Sequence, residues 1–407
     1  MKLTDFSNAG FGTRAIHGGQ HPDTTHGALA TPIYQTSTFC FDTVEDGIAK
    51  FSKEKAGYVY SRGGNPTTSV LQDKIALLEK GEACFITSSG MGAIGSVLLA
   101  LLKPGDHVVC GECVYGCTHV ILRDVLKKFG IETSFVDTSC LETLEKSLQS
   151  NTRVIVFESP TNPTMKLTDI KAVSALAKSK NIKVVVDNTF APPPLQFPLE
   201  LGADIVVHST TKYLNGHGDV IGGAIVGRKQ EVDEIAGSIA TKICGCTSSP
   251  FNSFLTIRGL QTLELRMERH CANGMALARH LAAHSAVASV NYPGLPAHPQ
   301  HELAARQMNG LFGGMLSFEL KDGLYGLSSF EACKKLLNKL KIASIAVSLG
   351  DPATLVQHPA SMTHNNVPVD YRKAAGIADG LVRLSLGLEN ARDLVADFDQ
   401  ALDSLNK

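Results

Sequence analysis

Ile205-Val206-Val207-His208-Ser209-Thr210-Thr211-Lys212 decides the fold, because an apolar run ends in hydroxyl residues and a lysine. An amine at the exit of a buried strand can form a Schiff base with an aldehyde, while hydroxyls beside it hold a phosphate. Upstream, Val184-Val185-Val186-Asp187-Asn188-Thr189 is a second apolar run, and it delivers a carboxylate of the kind that keeps a pyridinium nitrogen protonated. Lys212 and Asp187 at two strand exits together describe a site for pyridoxal 5'-phosphate (PLP).

Working outward, strands are predicted at 84–86, 107–109, 133–136 and 154–157, and helices at 118–129, 141–148 and 170–178. Strand and helix in alternation predict an α/β chain with a large, mostly parallel sheet covered on both faces. Ligands then bind beyond the carboxyl ends of the strands. Residues 1–60, rich in Gly, Thr, His and Pro with weak periodicity, read as an N-terminal arm contacting a neighbouring subunit. Residues 61–258 form the expected PLP-binding domain. After Ser249-Pro250 the pattern predicts one long amphipathic helix over 255–284, opening a smaller C-terminal α+β domain at 259–407 with strands near 314–318 and 381–385.

A net charge of -1 gives no electrostatic reason to expect nucleic acid or an anionic membrane. Val97-Leu98-Leu99-Ala100-Leu101-Leu102 is far shorter than the roughly 20 apolar residues a membrane span needs, and Met1 to Phe6 has no apolar core for a signal peptide. Ten cysteines in a chain without a secretory signal read as reduced thiols, so a cytoplasmic protein is expected. Cys110-x-x-Cys113-x-x-x-Cys117 has a metal-like spacing, but no second Cys/His cluster completes four ligands, and no metal is expected.

Ser88-Ser89-Gly90-Met91-Gly92-Ala93 stands where a strand gives way to a helix, so its free N–H groups and the positive helix end suit an anion. Taken alone, a Gly/Ser segment is more often just a turn. Asp187 has its own bland reading as a helix cap, and Tyr115 as a core tyrosine. The lysine and the carboxylate at matched strand ends favour the cofactor reading of all three.

With these residues in place, the chain resembles the Cys/Met-metabolism family of PLP enzymes, of fold type I. The likeness spans nearly the whole chain and rests on Tyr60-Ser61-Arg62-Gly63-Gly64-Asn65-Pro66-Thr67, Glu158-Ser159-Pro160-Thr161-Asn162-Pro163, Asp187-Asn188-Thr189-Phe190 and Val382-Arg383-Leu384-Ser385-Leu386-Gly387. The resemblance implies that Lys212 carries the cofactor, Asp187 pairs with the pyridine nitrogen and Tyr115 stacks on the ring. It implies a phosphate site of Gly90, Met91, Ser209 and Thr211, joined by Tyr60 and Arg62 from a neighbouring subunit, in a homotetramer of active-site-sharing dimers. Asn162 then lies by the phenolic oxygen, and Arg383, assisted by Ser348, clamps the substrate α-carboxylate.

Within the family, cystathionine γ-lyases typically carry a Glu where this chain has Val347, and often one where it has Val59. With Cys117 beside Tyr115 and Leu349-Gly350-Asp351, these positions resemble the methionine γ-lyase branch. That branch usually has a Lys-Asp pair in the stretch occupied here by Thr241-Lys242-Ile243-Cys244-Gly245, a departure that bears on substrate preference. The expected reaction is PLP-dependent α,γ-elimination of L-methionine, with Lys212, Tyr115 and Cys117 as catalytic candidates. The alternatives are an O-acetylhomoserine sulfhydrylase and a cystathionine γ- or β-lyase.

Overall fold

The structure, a computed structural model, describes residues 6–365, 369–374 and 376–406, so the expectation for Met1 to Asp5 lies outside it. The arm is not wholly extended: it forms α1 (Phe11–His17) and α2 (Val44–Phe51), joined by irregular chain. Lys74 of α3 (Pro66–Glu79) is fully buried and donates to the carbonyls of Ala15 and Ile16 at 2.9 and 3.1 Å, which fastens the end of α1. Leu29, Val44, Ile48 and Phe51 of the arm stay exposed, an apolar surface that this chain alone does not cover.

Among the described residues the larger sheet has seven strands: β1 (Ala83–Thr87), β2 (His107–Gly111), β3 (Glu132–Val136), β4 (Thr152–Glu158), β5 (Lys183–Asp187), β6 (Ile205–His208) and β7 (Gly223–Gly227). Their order is β1-β7-β6-β5-β4-β2-β3, and only β7 runs against the rest. Sequence reading passes over β7 because Gly223-Ala224-Ile225-Val226-Gly227 is short and bracketed by glycines. The first glycine is required by crowding, since a Cβ on Gly223 would lie 2.2 Å from the Ser89 carbonyl.

The helices α4 (Gly90–Leu101), α5 (Gly116–Val120), α6 (Leu141–Ser147), α7 (Ile170–Ser179) and α8 (Lys229–Ile235) flank this sheet. Ala93, Ile94, Val97 and Leu98 of α4 pack in one core with Val108, Val154, Val185 and Ile205. Ile170, Val173 and Ala177 of α7 pack with Val109, Ile155, Val184 and Val186 on the other face. Successive strand residues therefore alternate between two buried layers, as a sheet covered on both sides demands. The predicted helix over 118–129 changes pitch after α5, through a π turn at Ile121–Val125 and a 3-10 turn at Leu126–Phe129, and Gly130 ends it at φ +74.

The single helix expected over 255–284 is two, α9 (Pro250–Leu260) and α10 (Leu263–Ala283), separated at Gln261 and Thr262. Gly259 makes the junction possible, because a Cβ there would lie 2.1 Å from the Asn215 carbonyl. Then follow β8 (Val287–Asn291), α11 (His301–Gln307), β9 (Met315–Leu320), α12 (Ser329–Lys339), β10 (Ser344–Ile345), β11 (Leu355–Gln357), α13 (Val369–Ala374), β12 (Leu381–Ser385) and α14 (Ala391–Asp403). The strands form a second sheet ordered β10-β11-β12-β9-β8, whose core includes Phe318, Leu336, Val382 and Phe398.

Candidate active site

The exits of β4, β5 and β6 open into a cavity of about 280 Å³, as the parallel topology predicts. Gly90, Met91, Tyr115, Asn162, Asp187, Ser209, Thr211, Lys212 and Arg383 all line it. A larger cavity of about 610 Å³ lies at the opposite end of the sheet, beside Lys183 and Gly202, and holds none of these residues.

Ser89 caps α4 by accepting from the N–H of Gly92 at 3.0 Å, so the N–H groups of Gly90 and Met91 open the helix toward the cavity. Gly90 is needed there: a Cβ would come within 2.9 Å of the Ser209 side chain. Thr211 Oγ1 accepts from the N–H of Gly222 at 3.0 Å, which holds the loop after β6 against the start of β7. Lys212 projects from that loop, and its Nζ lies 2.9 Å from Ser348 Oγ. Burial lowers its proton affinity first, and the nearby Arg383 charge adds to this. Gly350, at φ +76, brings the 348–350 loop onto the chain after Lys212, where a Cβ would meet the Tyr213 N at 2.6 Å.

Asp187 and Glu158 end adjacent strands in register, so two carboxyl groups lie side by side, Glu158 buried and Asp187 half-buried at the cavity wall. Burial raises both, and the neighbouring Asp187 charge drives Glu158 well above the carboxylate range. Thr189 works the other way on Asp187, donating its N–H at 3.0 Å and its hydroxyl at 2.5 Å to Oδ1. Asp187 is accordingly the member of the pair that ionises. Glu158 is a residue the sequence reading quoted without a role. Its Oε1 accepts the N–H of Tyr115 at 2.5 Å and so fixes where the tyrosine enters.

Arg383 stands on β12, opposite Gln357 of β11 and Ser317 of β9. It donates to Asn162 Oδ1 at 3.2 Å and to the Ser348 carbonyl at 2.9 Å. With its amide turned so that the oxygen faces the guanidinium, Gln357 accepts from it as well. No carboxylate pairs with Arg383 among the described residues.

Tyr60, Arg62 and Cys117 do not line this cavity. Arg62 donates to the Thr241 carbonyl at 3.0 Å and sits over the Tyr60 ring at 5.8 Å, on the loop leading into α3. Cys117 is exposed on α5, and its side chain first, then burial, raises the proton affinity of the Tyr115 phenol. Ser348 reaches the site through Lys212. Met91, Ile94, Phe190, Ile221, Val347 and Leu349 give the cavity an apolar wall. No group of three or more His, Cys, Asp or Glu residues among those described could hold a metal ion.

The donor set fits PLP: helix-terminal N–H groups and two hydroxyls for a phosphate, a lysine for an aldehyde and an ionised carboxylate for a pyridine nitrogen. The model of the Cys/Met metabolism PLP-dependent enzyme family matches residues 12–403. An L-methionine gamma-lyase of Fusobacterium nucleatum subsp. polymorphum is 53% identical, over 97% of this chain and 98% of its own. One from Treponema denticola is 50% identical over the full length of both chains. The crystal structure of cystathionine gamma-lyase from Lactobacillus plantarum complexed with L-serine superposes with a TM-score of 0.90 at 40% identity, covering 97% of this chain and 99% of the other. The chain belongs to the Cys/Met metabolism PLP-dependent enzyme family.

Proposed function

We propose that the chain is a PLP-dependent carbon–sulfur lyase that converts L-methionine and water to methanethiol, 2-oxobutanoate and ammonia by α,γ-elimination. The observation that carries this reading is the polarity of the cavity. The lining combines Arg383, a buried cation without a counter-carboxylate among the described residues, with the apolar side chains of Ile221, Val347 and Leu349. An amino acid with a free α-carboxylate and an uncharged thioether tail matches both features. Relatives 47–53% identical carry the same activity in their names.

PLP, when bound, supplies a sink for the electrons released at the substrate's α-carbon. Gly90, Met91, Ser209 and Thr211 hold its phosphate, Asp187 its pyridine nitrogen, and Asn162 its phenolic oxygen, with Tyr115 against the ring. Arg383 binds the substrate carboxylate through its fork and orients the α-carbon–hydrogen bond. Lys212, biased toward the neutral amine by burial and by Arg383, is the base that takes the α-proton. Tyr115, whose proton Cys117 and burial hold in place, donates it to the departing sulfur. Tyr60 and Arg62 complete the phosphate site from a neighbouring subunit. The dimer is then the smallest active unit and the homotetramer the whole, working in the cytoplasm; the apolar side chains left exposed on the arm support such contacts.

The second reading, γ-replacement as in a sulfhydrylase, uses the same residues. Product analysis separates the two. Methanethiol and 2-oxobutanoate from methionine alone support the lyase, whereas homocysteine formed only with O-acetylhomoserine and sulfide would replace it. Cystathionine cleaved in preference to methionine would overturn the role given to Val347.

A further inference from the structure

We infer that the cavity at the far end of the larger sheet is a second ligand site, built for a small organic phosphate: Lys171, Lys178 and Arg228 meet its negative charges, and Leu199 and Leu201 its apolar body. The cavity holds about 610 Å³, a volume usual for small-molecule sites. It lies where β5 and β6 begin, beside Lys183 and Asp204, whereas Asp187 and the loop bearing Lys212 stand at the other ends of these strands. Lys171, Ser174, Ala175 and Lys178 of α7 form one wall, because positions three, four and seven apart share a helix face. Gly202, at φ +102, lets the turn before β6 close on that wall, since a Cβ there would come within 2.9 Å of the Ser174 side chain.

Three observations make this more than a solvated surface. First, the cations of the lining are not all answered by carboxylates. Lys80 pairs with Glu200 at 2.6 Å, and Lys183 with Asp204 at 2.9 Å and Glu231 at 2.5 Å. Lys171, Lys178 and Arg228 have no ion pair among the described residues. Glu82, the other acid of the lining, accepts the N–H of Lys229 at 3.0 Å. Second, two of these three cations stand where helix formation does not favour them. Lys171 is the second residue of α7, in the first turn, where the positive end of the helix opposes a cation. Arg228 is the N-cap of α8, a position that favours a short accepting side chain, and its own side chain makes no cap bond. Third, Ser174 is 6% exposed and its hydroxyl is buried without a protein partner, on the same helix face as the two lysines. A phosphate oxygen, or water held by one, would complete it.

The apolar part of the lining narrows the class. Leu199 and Leu201 are only partly buried against the core, and both face the cavity. A bare inorganic anion would leave that surface wet, whereas a phosphate ester with an apolar or flat body covers it. A net charge of -1 and a concave site argue for a small molecule over nucleic acid, which is bound by extended basic faces.

The test is calorimetric titration of the full-length protein with PLP bound, so that the phosphate site of the active site is already filled, and ATP is the probe. ATP should bind the wild type with a Kd below about 1 mM. Lys171→Ala combined with Lys178→Ala should weaken it at least about tenfold, and Arg228→Ala about fivefold. Lys127→Ala combined with Lys128→Ala removes the same charge outside the cavity and should change Kd by less than about twofold. Inorganic triphosphate has the charge without the body and should bind at least about fivefold more weakly than ATP; adenosine, the body without the charge, should show no saturation below about 10 mM. Wild type that bound no ATP, a measurement independent of any variant's folding, would overturn the inference. So would an equal loss in the two lysine pairs, which would place ATP elsewhere on the surface. Triphosphate bound as tightly as ATP would overturn the part given to Leu199 and Leu201.

Discussion

Arg266 and Arg383 are 5% and 4% exposed, and burial pushes both guanidinium groups down to about 10. Their surroundings differ. Arg266, on α10, donates to the carbonyls of Tyr213 and Gly259 at 2.7 and 2.8 Å and to Thr262 Oγ1 at 3.2 Å, so protein acceptors take up its donors. It fastens the α9–α10 junction to the segment just after Lys212. Arg383 has protein acceptors on one side and the cavity on the other. Burial and proton affinity therefore do not separate a structural cation from a functional one. What separates them is whether the donor set is closed by the fold or left open for an anion.

Lys212 sits on chain held by one arginine and points at a loop held by the other, so its removal should have the largest effect. Lys212→Ala should lower methionine turnover by at least about 10⁴-fold and abolish the visible absorbance of bound cofactor. Retention of either would remove the lysine from the chemistry. Arg383→Lys keeps the charge and loses the fork, which should lower kcat/KM about 100-fold, mostly through KM, with little change in Tm. If KM stayed put, the substrate carboxylate would have to bind elsewhere.

Arg266→Met tests the other half of the comparison. The carbonyls of Tyr213 and Gly259 would lose their donor, at a cost of about 3 kcal/mol measured by urea denaturation, while KM of the folded fraction should change less than about twofold. A large KM effect with intact stability would erase the distinction between the two arginines.

Lys74 extends the comparison to a cation closed by the main chain, and burial lowers it to about 8 from 10.5. Above about pH 8 the folded chain has released this proton while the unfolded chain still binds it. Stability should therefore rise with pH, by about 2 kcal/mol between pH 8 and 10. Lys74→Met should flatten that rise in denaturation curves measured at the two pH values.

The same distinction explains what the sequence made legible. Lys212 and Asp187 were readable because each follows a run of buried aliphatic residues, and in a parallel sheet strand exits converge without further information. Arg383 was not readable that way: Val382-Arg383-Leu384 looks like any strand with a polar residue, and only the family likeness singled it out. Gly223–Gly227 was missed because glycines at both ends imitate turns, although crowding by Ser89 is what demands the first of them. The break between α9 and α10 left no local mark, since the Asn215 carbonyl that forces Gly259 lies far away in sequence. The buried contact between Glu79 and His208 joins residues 129 apart, which no spacing rule connects. Closed polar networks are tertiary facts, whereas a ligand-facing strand end is nearly a local one.

The smallest expected effect falls on the open side of the comparison. Cys117 is exposed on the first turn of α5 and touches the chemistry only through Tyr115, whose proton it helps to retain. A general acid works while protonated, so activity falls as pH rises through its pKa, and a group that raises that pKa extends the active range toward alkaline pH. Cys117→Ala should therefore move the alkaline limb of the kcat/KM profile for methionine to lower pH, while the rate near pH 7 changes by less than about threefold. Because the replacement also removes bulk beside Tyr115, which does line the cavity, the ratio of methionine to cystathionine turnover should be followed in the same assays. A shifted ratio with an unmoved alkaline limb would make Cys117 a steric residue and leave burial and Glu158 as the groups that hold the Tyr115 proton.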